Sequence, residues 1–509
     1  MSVFHNNALI GSGAGTADAA AAFALQKSVR LNEDDSAFLS RTFGSGGNRR
    51  TFTISGWLKR HEIDENNYFI AARDGTNYPN SSIRAVQNST AGFYFLDQTN
   101  TENNILLQSH TTAVFRDPSA WYHFVIAVDT TQSTESDRVK LYVNGVQVTL
   151  SGTFPSQNFD CTVSSNIQHT IGRRTKNTGA FEYGDGYYAD YYYIDGSALD
   201  PTSFGAFDDS GVWQAAAYSG TYGTNGFHLF DFANESTVGH DSSGNENDFS
   251  TTNISTSAGA GNDVLFDVPT NGNSSDDSGA GGEVSGNYAT LNANTGYPWT
   301  LSNGNLECTA PTSPSSGHCP ATIFVNSGKW YAEVTTVNNT DDHAVVGVVK
   351  LGAPTNNRIG NNGGAGWEPE RDRKRAIDGT TTSPFFNVTY TDNVITLGLA
   401  LDMDDGTLDI YVNGSLVGEL ISGLSGYYTF AVGDTVSDQQ PSYKLNFGAR
   451  PFAYTPPTGF KSLCTTNLDD PLIADGSDYF DVITRNGLGS SGGDITGLSF
   501  SPDLVWEKA

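Results

Sequence analysis

The chain has 509 residues, of which only 16 % are charged, and a formal net charge of −29 from 56 acidic against 27 basic side chains. That balance excludes a nucleic-acid partner, whose phosphates are bound through Lys and Arg, and it disfavours an anionic membrane surface for the same reason. With 56 Gly, 29 Phe and 23 Tyr the composition favours strands over helices, and the length suits two to four domains of roughly 100–200 residues each.

Residues 1–28 read as a separate lead. Gly11-Ser-Gly-Ala-Gly15 is flexible, and Thr16-Ala-Asp-Ala-Ala-Ala-Ala-Phe-Ala-Leu-Gln26 predicts a short helix on alanine propensity, with the Thr16 hydroxyl as its cap. A helix this short needs a surface to dock on, either in its own chain or in a neighbouring protein. The start has no basic n-region, and Ala19 to Leu25 is too short to span a bilayer. Neither a signal peptide nor a membrane anchor is expected.

From Val29 the chain breaks into short apolar runs separated by turn residues: Val29–Leu31, Ala37–Thr42, Phe52–Lys59, Tyr68–Ala71, Gly92–Leu96, Ile105–Gln108 and Trp121–Val128. Phe52-Thr-Ile-Ser-Gly-Trp-Leu-Lys59 has the cleanest period of two. Glu62-Ile-Asp-Glu65 invites a reading as glycosidase carboxylates, but period two would place Glu65 on the face opposite Glu62 and Asp64, so an acidic loop is expected. Val139-Lys-Leu-Tyr-Val-Asn-Gly-Val-Gln-Val148 then predicts a hairpin, because both central positions of a two-residue turn need positive φ, which Asn-Gly tolerates. His169–Arg173, Tyr187–Ile194 and Phe227–Phe232 are further strands. Together they predict an antiparallel sandwich over residues 29–235.

Residues 236–287 have Gly/Ser/Asn/Asp linker composition, above all Asn271-Gly-Asn-Ser-Ser-Asp-Asp-Ser-Gly-Ala-Gly-Gly282. A second set of strands follows over 288–453, including Gly328–Val334, Ala344–Val349, Val394–Leu401 and Tyr443–Gly448. Within it Thr407-Leu-Asp-Ile-Tyr-Val-Asn-Gly-Ser-Leu-Val417 nearly copies the first hairpin, with a similar hydrophobic strand and acidic turn before it. A repeat at this distance argues for two β domains. Residues 454–509 hold two more candidate strands, Tyr479–Arg485 and Ile495–Trp506, too few to form a domain alone. The fold class expected is all-β: two tandem antiparallel β-sandwich (jelly-roll) domains, a short helical or flexible N-terminal lead and a C-terminal β segment.

Few residues carry chemistry. The four cysteines lack CxxC spacing; free buried thiols are expected, with a Cys308–Cys319 pair as the alternative. The nine His residues show no paired metal spacing. Asp402-Met-Asp-Asp-Gly406 reads as a turn and not as a calcium loop, and in Glu368-Pro-Glu370 the proline removes a ladder donor. No catalytic, cofactor or metal residue is assigned. Two contact surfaces are expected: Tyr187 and Tyr192 of the tyrosine strand, and Trp367, Arg371, Arg373 and Arg375 in the densest charge cluster, placed on a loop.

Phe52-x-Ile-Ser-Gly-Trp-Leu, Trp121-Tyr-His-Phe-Val, Leu141-Tyr-Val-Asn-Gly, Ile171-Gly-Arg and Gly186-Tyr-Tyr-Ala-Asp-Tyr-Tyr-Tyr-Ile-Asp-Gly196 resemble, in this order, laminin-G-like (concanavalin A-like) domains. The resemblance implies that Tyr188, Tyr191 and Tyr193 face the core and that Tyr187 and Tyr192 point outward. It also leaves Asp190 alone where that family usually has two carboxylates, Ala189 standing at the other position, so a calcium site is not supported and no cofactor is expected. Gly-Lys-Trp-Tyr-Ala-Glu-Val, Val-Gly-Val, the second hairpin and Asn-Phe-Gly similarly resemble a SPRY domain, used in its family for binding and not catalysis.

The tandem pair, together with His5-Asn-Asn-Ala-Leu-Ile-Gly-Ser-Gly-Ala-Gly15 and Leu31-Asn-Glu-Asp-Asp-Ser-Ala-Phe-Leu-Ser-Arg-Thr42, resembles tail-fibre and other appendage proteins of tailed marine bacteriophages. Asp503-Leu-Val-Trp506 looks like the opening of a further domain in such proteins. The resemblance implies a non-enzymatic virion protein, made in the host cytoplasm, that attaches to other virion proteins through its lead and contacts host-surface glycan. It also implies a homo-oligomer, a trimer by family habit. The alternatives are a capsid-attached fibre or decoration protein, and a polysaccharide depolymerase.

Overall fold

The computed structural model describes residues 9–10, 23–61, 66–73, 80–85, 92–98, 105–176, 179–208, 211–232, 237–313, 316–337, 344–361, 363–388, 390, 394–435, 440–469, 479 and 500–501. They form two β-sandwiches, as the alternating patterns predict.

In the first sandwich one sheet runs Val146–Val148, Val139–Val143, Trp121–Asp129, Thr51–Arg60, Gly186–Asp195, Ser28–Leu31, Val264–Leu265, with Phe227–Leu229 also paired to Gly186–Asp195. The facing sheet runs Leu150–Thr153, Ile105–Thr111, Phe93–Gln98, Asn80–Ala85, Asn67–Arg73, Gln168–Ile171, Phe38–Thr42, Ser250–Thr252. Phe52, Ile54, Phe69, Phe93, Phe124 and Tyr191 lie in the core between them.

The second sandwich packs a sheet centred on Lys329–Val337 and Val394–Asp402 against one centred on Ala344–Lys350 and Tyr428–Asp434. Lys461–Ser462 adds a parallel strand beside Lys329–Val337, so the C-terminal segment packs on this sandwich at least as far as Leu468. The candidate strands Tyr479–Arg485 and Ile495–Trp506 lie, apart from Tyr479 and residues 500–501, outside the described residues, as does Glu62–Glu65.

The two hairpins adopt the same conformation. Asn144 and Gly145 have φ of 47° and 77°, Asn413 and Gly414 46° and 79°. Each asparagine also reaches sideways to the third strand: the Asn144 side-chain oxygen accepts from the His123 N–H at 2.8 Å, and that of Asn413 from the Thr396 N–H at 3.1 Å. The turn thereby pins three strands in register. An aromatic ring lies against each glycine, Trp213 at Gly145 and Tyr454 at Gly414, where a Cβ would collide.

Two expectations are corrected. The stretch 236–287 is not a free linker. Ser250–Thr252 extends one sheet of the first sandwich, Val264–Leu265 extends the other, and Asp263 and Asp267 are buried. Two of its glycines serve close approach: a Cβ on Gly279 would stand 2.6 Å from the Phe460 oxygen, and on Gly282 2.6 Å from Pro451 Cδ. In the lead, residues 23–27 are irregular and not helical. Tertiary contacts take them up: the Leu25 N–H donates to Thr270 Oγ1 at 2.8 Å, and the Leu25 side chain is buried. Leu9–Ile10 pairs in parallel with Ile323–Phe324; the rest of the expected Thr16–Gln26 helix lies outside the described residues.

All four cysteines are free and buried, which removes the Cys308–Cys319 pairing. Buried histidines set a pH dependence. Trp213 Nε1–H donates to His123 Nδ1 at 3.0 Å, which leaves Nε2 of that ring to donate to Ser55 Oγ at 3.0 Å. Burial pushes His123 down to about 3 from its ordinary 6.5, and burial, opposed by the Ile167 carbonyl, takes His169 to about 4. Below pH 6.5 the unfolded chain therefore binds protons that the folded chain refuses. Stability from these rings is complete above that pH and falls as pH drops towards 4, by about 1.4 kcal/mol per pH unit for each ring. Denaturant midpoints at pH 7 and 5 check this; His123→Gln should flatten part of the slope, and an unchanged slope would contradict it.

Candidate functional site

The first sandwich has two outer faces, and they differ. The face beyond Thr51–Arg60 and Gly186–Asp195 is covered by the second sandwich. Trp57, Trp121, Tyr187, Ala189 and Trp213 share one apolar cluster with Leu291, Leu301 and Trp330 of the second sandwich. Polar bonds close the seam around them. Lys59 Nζ donates to Asp267 Oδ2 at 2.7 Å, to Asn287 Oδ1 at 2.8 Å and to the Tyr288 carbonyl at 2.9 Å, using all three of its protons. Burial lowers the Lys59 pKa and the Asp267 carboxylate opposes it. Arg30 pairs with Asp263 at 2.9 Å and donates to the Asn303 carbonyl at 3.1 Å.

Tyr187 belongs to this seam and is fully buried, which corrects the expectation that it is a contact residue. Its hydroxyl donates to the Gly304 carbonyl at 3.1 Å, and its ring meets His61 edge-on at 4.1 Å. It does point away from the first core, as alternation requires, but the space outside the sheet is occupied by protein.

Tyr192 is corrected likewise, being 1 % exposed. Phe204, Tyr218 and Tyr222 pack over it, and His228 stacks on its ring at 4.0 Å. His228 is held from both sides, by Asp190 Oδ1 at 2.8 Å from Nε2 and by Ser242 Oγ at 2.8 Å from Nδ1. Asp190 sits at φ 50° in a bulge of the tyrosine strand. That one-residue irregularity lets Tyr188, Tyr191 and Tyr193 all face the core, as the resemblance implies.

The charge cluster is a hairpin, not a loop. Ala365–Glu368 and Arg373–Arg375 pair at the margin of their sheet. Trp367 is fully buried, its indole N–H donating to Asp372 at 3.3 Å, with Phe386 and Tyr390 edge-on to the ring. Glu368 is buried too, bonded to the Arg375 Nε–H and lying 3.6 Å from Arg373 Nη1. Asp372 accepts the N–H groups of Phe385, Phe386 and Asn387. Trp367 and Arg375 are therefore interior residues, and Arg373 is half-buried and paired; Arg371 is half-buried as well. Glu368 takes up Arg373 and Arg375, so these two offer little to a ligand.

The other outer face of the first sandwich is open only in part: Ala71, Ser82, Leu96 and Thr170, which alternation turns to this side, are buried. Strand alternation turns Ser40 and Thr42, Gln168, Tyr94, Gln108, His110 and Ser151 outward, all half-buried or exposed. Tyr94 and His110 are directly opposed across two strands, their rings 6.0 Å apart and near-parallel. This is a hydroxyl- and amide-bearing surface with one aromatic pair, which suits hydrogen bonding and stacking with a polar, flat ligand.

At the margin stands the hairpin Arg173–Thr175 and Phe181–Tyr183. Gly172, at φ 80°, turns the chain into it, where a Cβ would meet Leu31. Period two sends Arg174 and Glu182 to the side of Tyr68, whose hydroxyl donates to Glu182 at 2.7 Å. Burial acts upward on Glu182, but Lys176, Arg174 and Tyr68 override it and hold the carboxyl down to about 2. Arg173 goes to the other side, its guanidinium 3.7 Å from the Phe38 ring centre and 4.3 Å from that of Phe181. Sequence reasoning passed over this element, although Arg173-Arg-Thr-Lys176 is a run of cations in an acidic chain.

Asp402 accepts the N–H groups of Asp404 and Asp405 and pairs with Lys329, as expected of a turn. Among the described residues no three His, Cys, Asp or Glu side chains are placed to hold a metal.

Residues 32–201 match the family model of the concanavalin A-like lectin/glucanases superfamily, a laminin-G type. No protein of curated function matches the sequence. Among solved structures, the SPRY domain of human HERC1 is similar at 16 % identity, covering 29 % of this chain and 91 % of that one, with a TM-score of 0.25. The TRIM65 PSpry domain is 15 % identical over 31 % of this chain and 92 % of its own, at 0.26. A heptameric SAP-like pentraxin from Limulus polyphemus is 16 % identical over 35 % and 80 %, at 0.26.

Proposed function

We propose that the chain is a non-enzymatic carbohydrate-binding structural protein, a tail fibre or receptor-binding appendage of a virion that contacts host-surface glycan. The observation that carries the binding reading is the open sheet face of the first sandwich with its Tyr94–His110 pair. The match of residues 32–201 to a lectin/glucanase superfamily model supports carbohydrate as the ligand class. The appendage role rests on the sequence resemblance to phage fibres. On this reading the protein works as a homotrimer, without a cofactor, in the virion.

The full chain on a glycan array should bind a defined subset of glycans, and antibody labelling of virions should mark the tail. Label on the capsid would favour the decoration role instead. Release of reducing ends from host envelope polysaccharide would turn the reading to a depolymerase.

A further inference from the structure

We infer that Arg173, boxed by Phe38, Phe181 and Tyr183 at the margin of the open sheet, binds the carboxylate of an acidic sugar, with the exposed Phe181 ring against the sugar's apolar face. This rests on the carbohydrate reading and names the class of sugar.

Arg173 is 8 % exposed, and its Nε–H has no hydrogen-bond partner. Among the described residues no carboxylate lies within ion-pair distance of it. Burial lowers its pKa and the neighbouring Tyr183 hydroxyl opposes this, but an arginine stays cationic at neutral pH. A buried cation without an anion is costly to maintain, and two aromatic faces replace only part of the lost solvation. The obvious internal partner, Glu182, is already engaged by Arg174 at 2.5 Å and by Lys176 at 2.6 Å. The hairpin therefore presents three cations against one carboxylate.

That local excess sits in a chain of net charge −29. A polyanion would be repelled by the rest of the molecule, whereas a single carboxylate meets only the local field. Guanidinium and carboxylate match in planar, paired geometry. Phe181 is 51 % exposed and Phe38 only 9 %, so Phe38 serves as the fixed wall and Phe181 as the face open to ligand. The remaining hydroxyls of a sugar would then lie towards Ser40 and Thr42 on the adjoining sheet.

The test is titration of the full chain with oligosaccharides ending in glucuronate, galacturonate or a nine-carbon ulosonate, each beside its methyl ester. At least one acid should bind on the order of tenfold more tightly than its ester, the usual strength of a charge-assisted pair. Arg173→Gln should abolish that preference without weakening the ester, and Phe181→Ala, at an exposed position, should weaken both. If Arg173→Gln does not fold, the acid–ester comparison on the unaltered chain still decides. Equal binding of every acid and its ester overturns the site and leaves carbohydrate binding standing. No binding of any sugar, neutral or acidic, overturns the reading beneath it.

Discussion

Replacing Lys59 by alanine lowers the stability of the folded chain by about 3–5 kcal/mol, the cost of breaking a buried ion pair by removing one partner. Lys59 is wholly buried and Asp267 is 2 % exposed at the side chain. Without the ammonium, Asp267 keeps only the Trp121 indole N–H at 3.1 Å and the Tyr288 N–H at 3.3 Å. A carboxylate so placed is under-solvated, and the cavity left by the lysine stem lies between two sandwiches that must separate or admit water. Urea denaturation, followed by tryptophan fluorescence and circular dichroism, should show a lower midpoint by both probes. A shift below about 1 kcal/mol, the range of an exposed pair, would contradict a closed seam.

Trp367→Ala should be comparably damaging, by about 3–5 kcal/mol, because it empties a core position and not a binding surface. Its ring fills the space between the sheet margin and Phe386, and its N–H satisfies Asp372. Glycan binding by the folded fraction should be unchanged, because the proposed binding face lies on the first sandwich. Lost binding with unchanged thermal stability would restore Trp367 as a contact residue.

What the sequence disclosed follows from period and turn chemistry, which act over a few residues. The two Asn-Gly hairpins and the Phe52–Lys59 strand were legible because alternation and positive φ are local properties. The inward set Tyr188, Tyr191 and Tyr193 breaks alternation at the Asp190 bulge and was legible only through the family resemblance. What covers an outward residue is not local. Tyr187 and Tyr192 do point out of the first core, yet Gly304 lies 117 positions from Tyr187, and His228 arrives from a later strand. The same distance hid the pairing of Lys59 with Asp267, 208 positions apart. Composition misled at residues 236–287: Gly, Ser, Asn and Asp there make tight turns and bond to nearby backbone, so a packed strap shares the signature of a loose linker. Asp241 shows why, accepting the N–H groups of His228, Ser243 and Asn247 within one short stretch. The Arg173 hairpin was missed because its charges are unremarkable until the structure leaves one of them without an anion.

The hairpins that repeat in the two halves are scaffold, each asparagine holding a third strand and each glycine meeting an aromatic ring. Function is expected where the two sandwiches differ, on the partly open sheet of the first. Calorimetric titration of the full chain with a glycan selected on the array, repeated with Tyr94→Ala and His110→Ala, tests this most directly. Binding by the unaltered chain, weakened at least tenfold by either change at unaltered melting temperature, is the expected result. Undiminished binding by both variants would show that the open sheet is not the glycan-binding face.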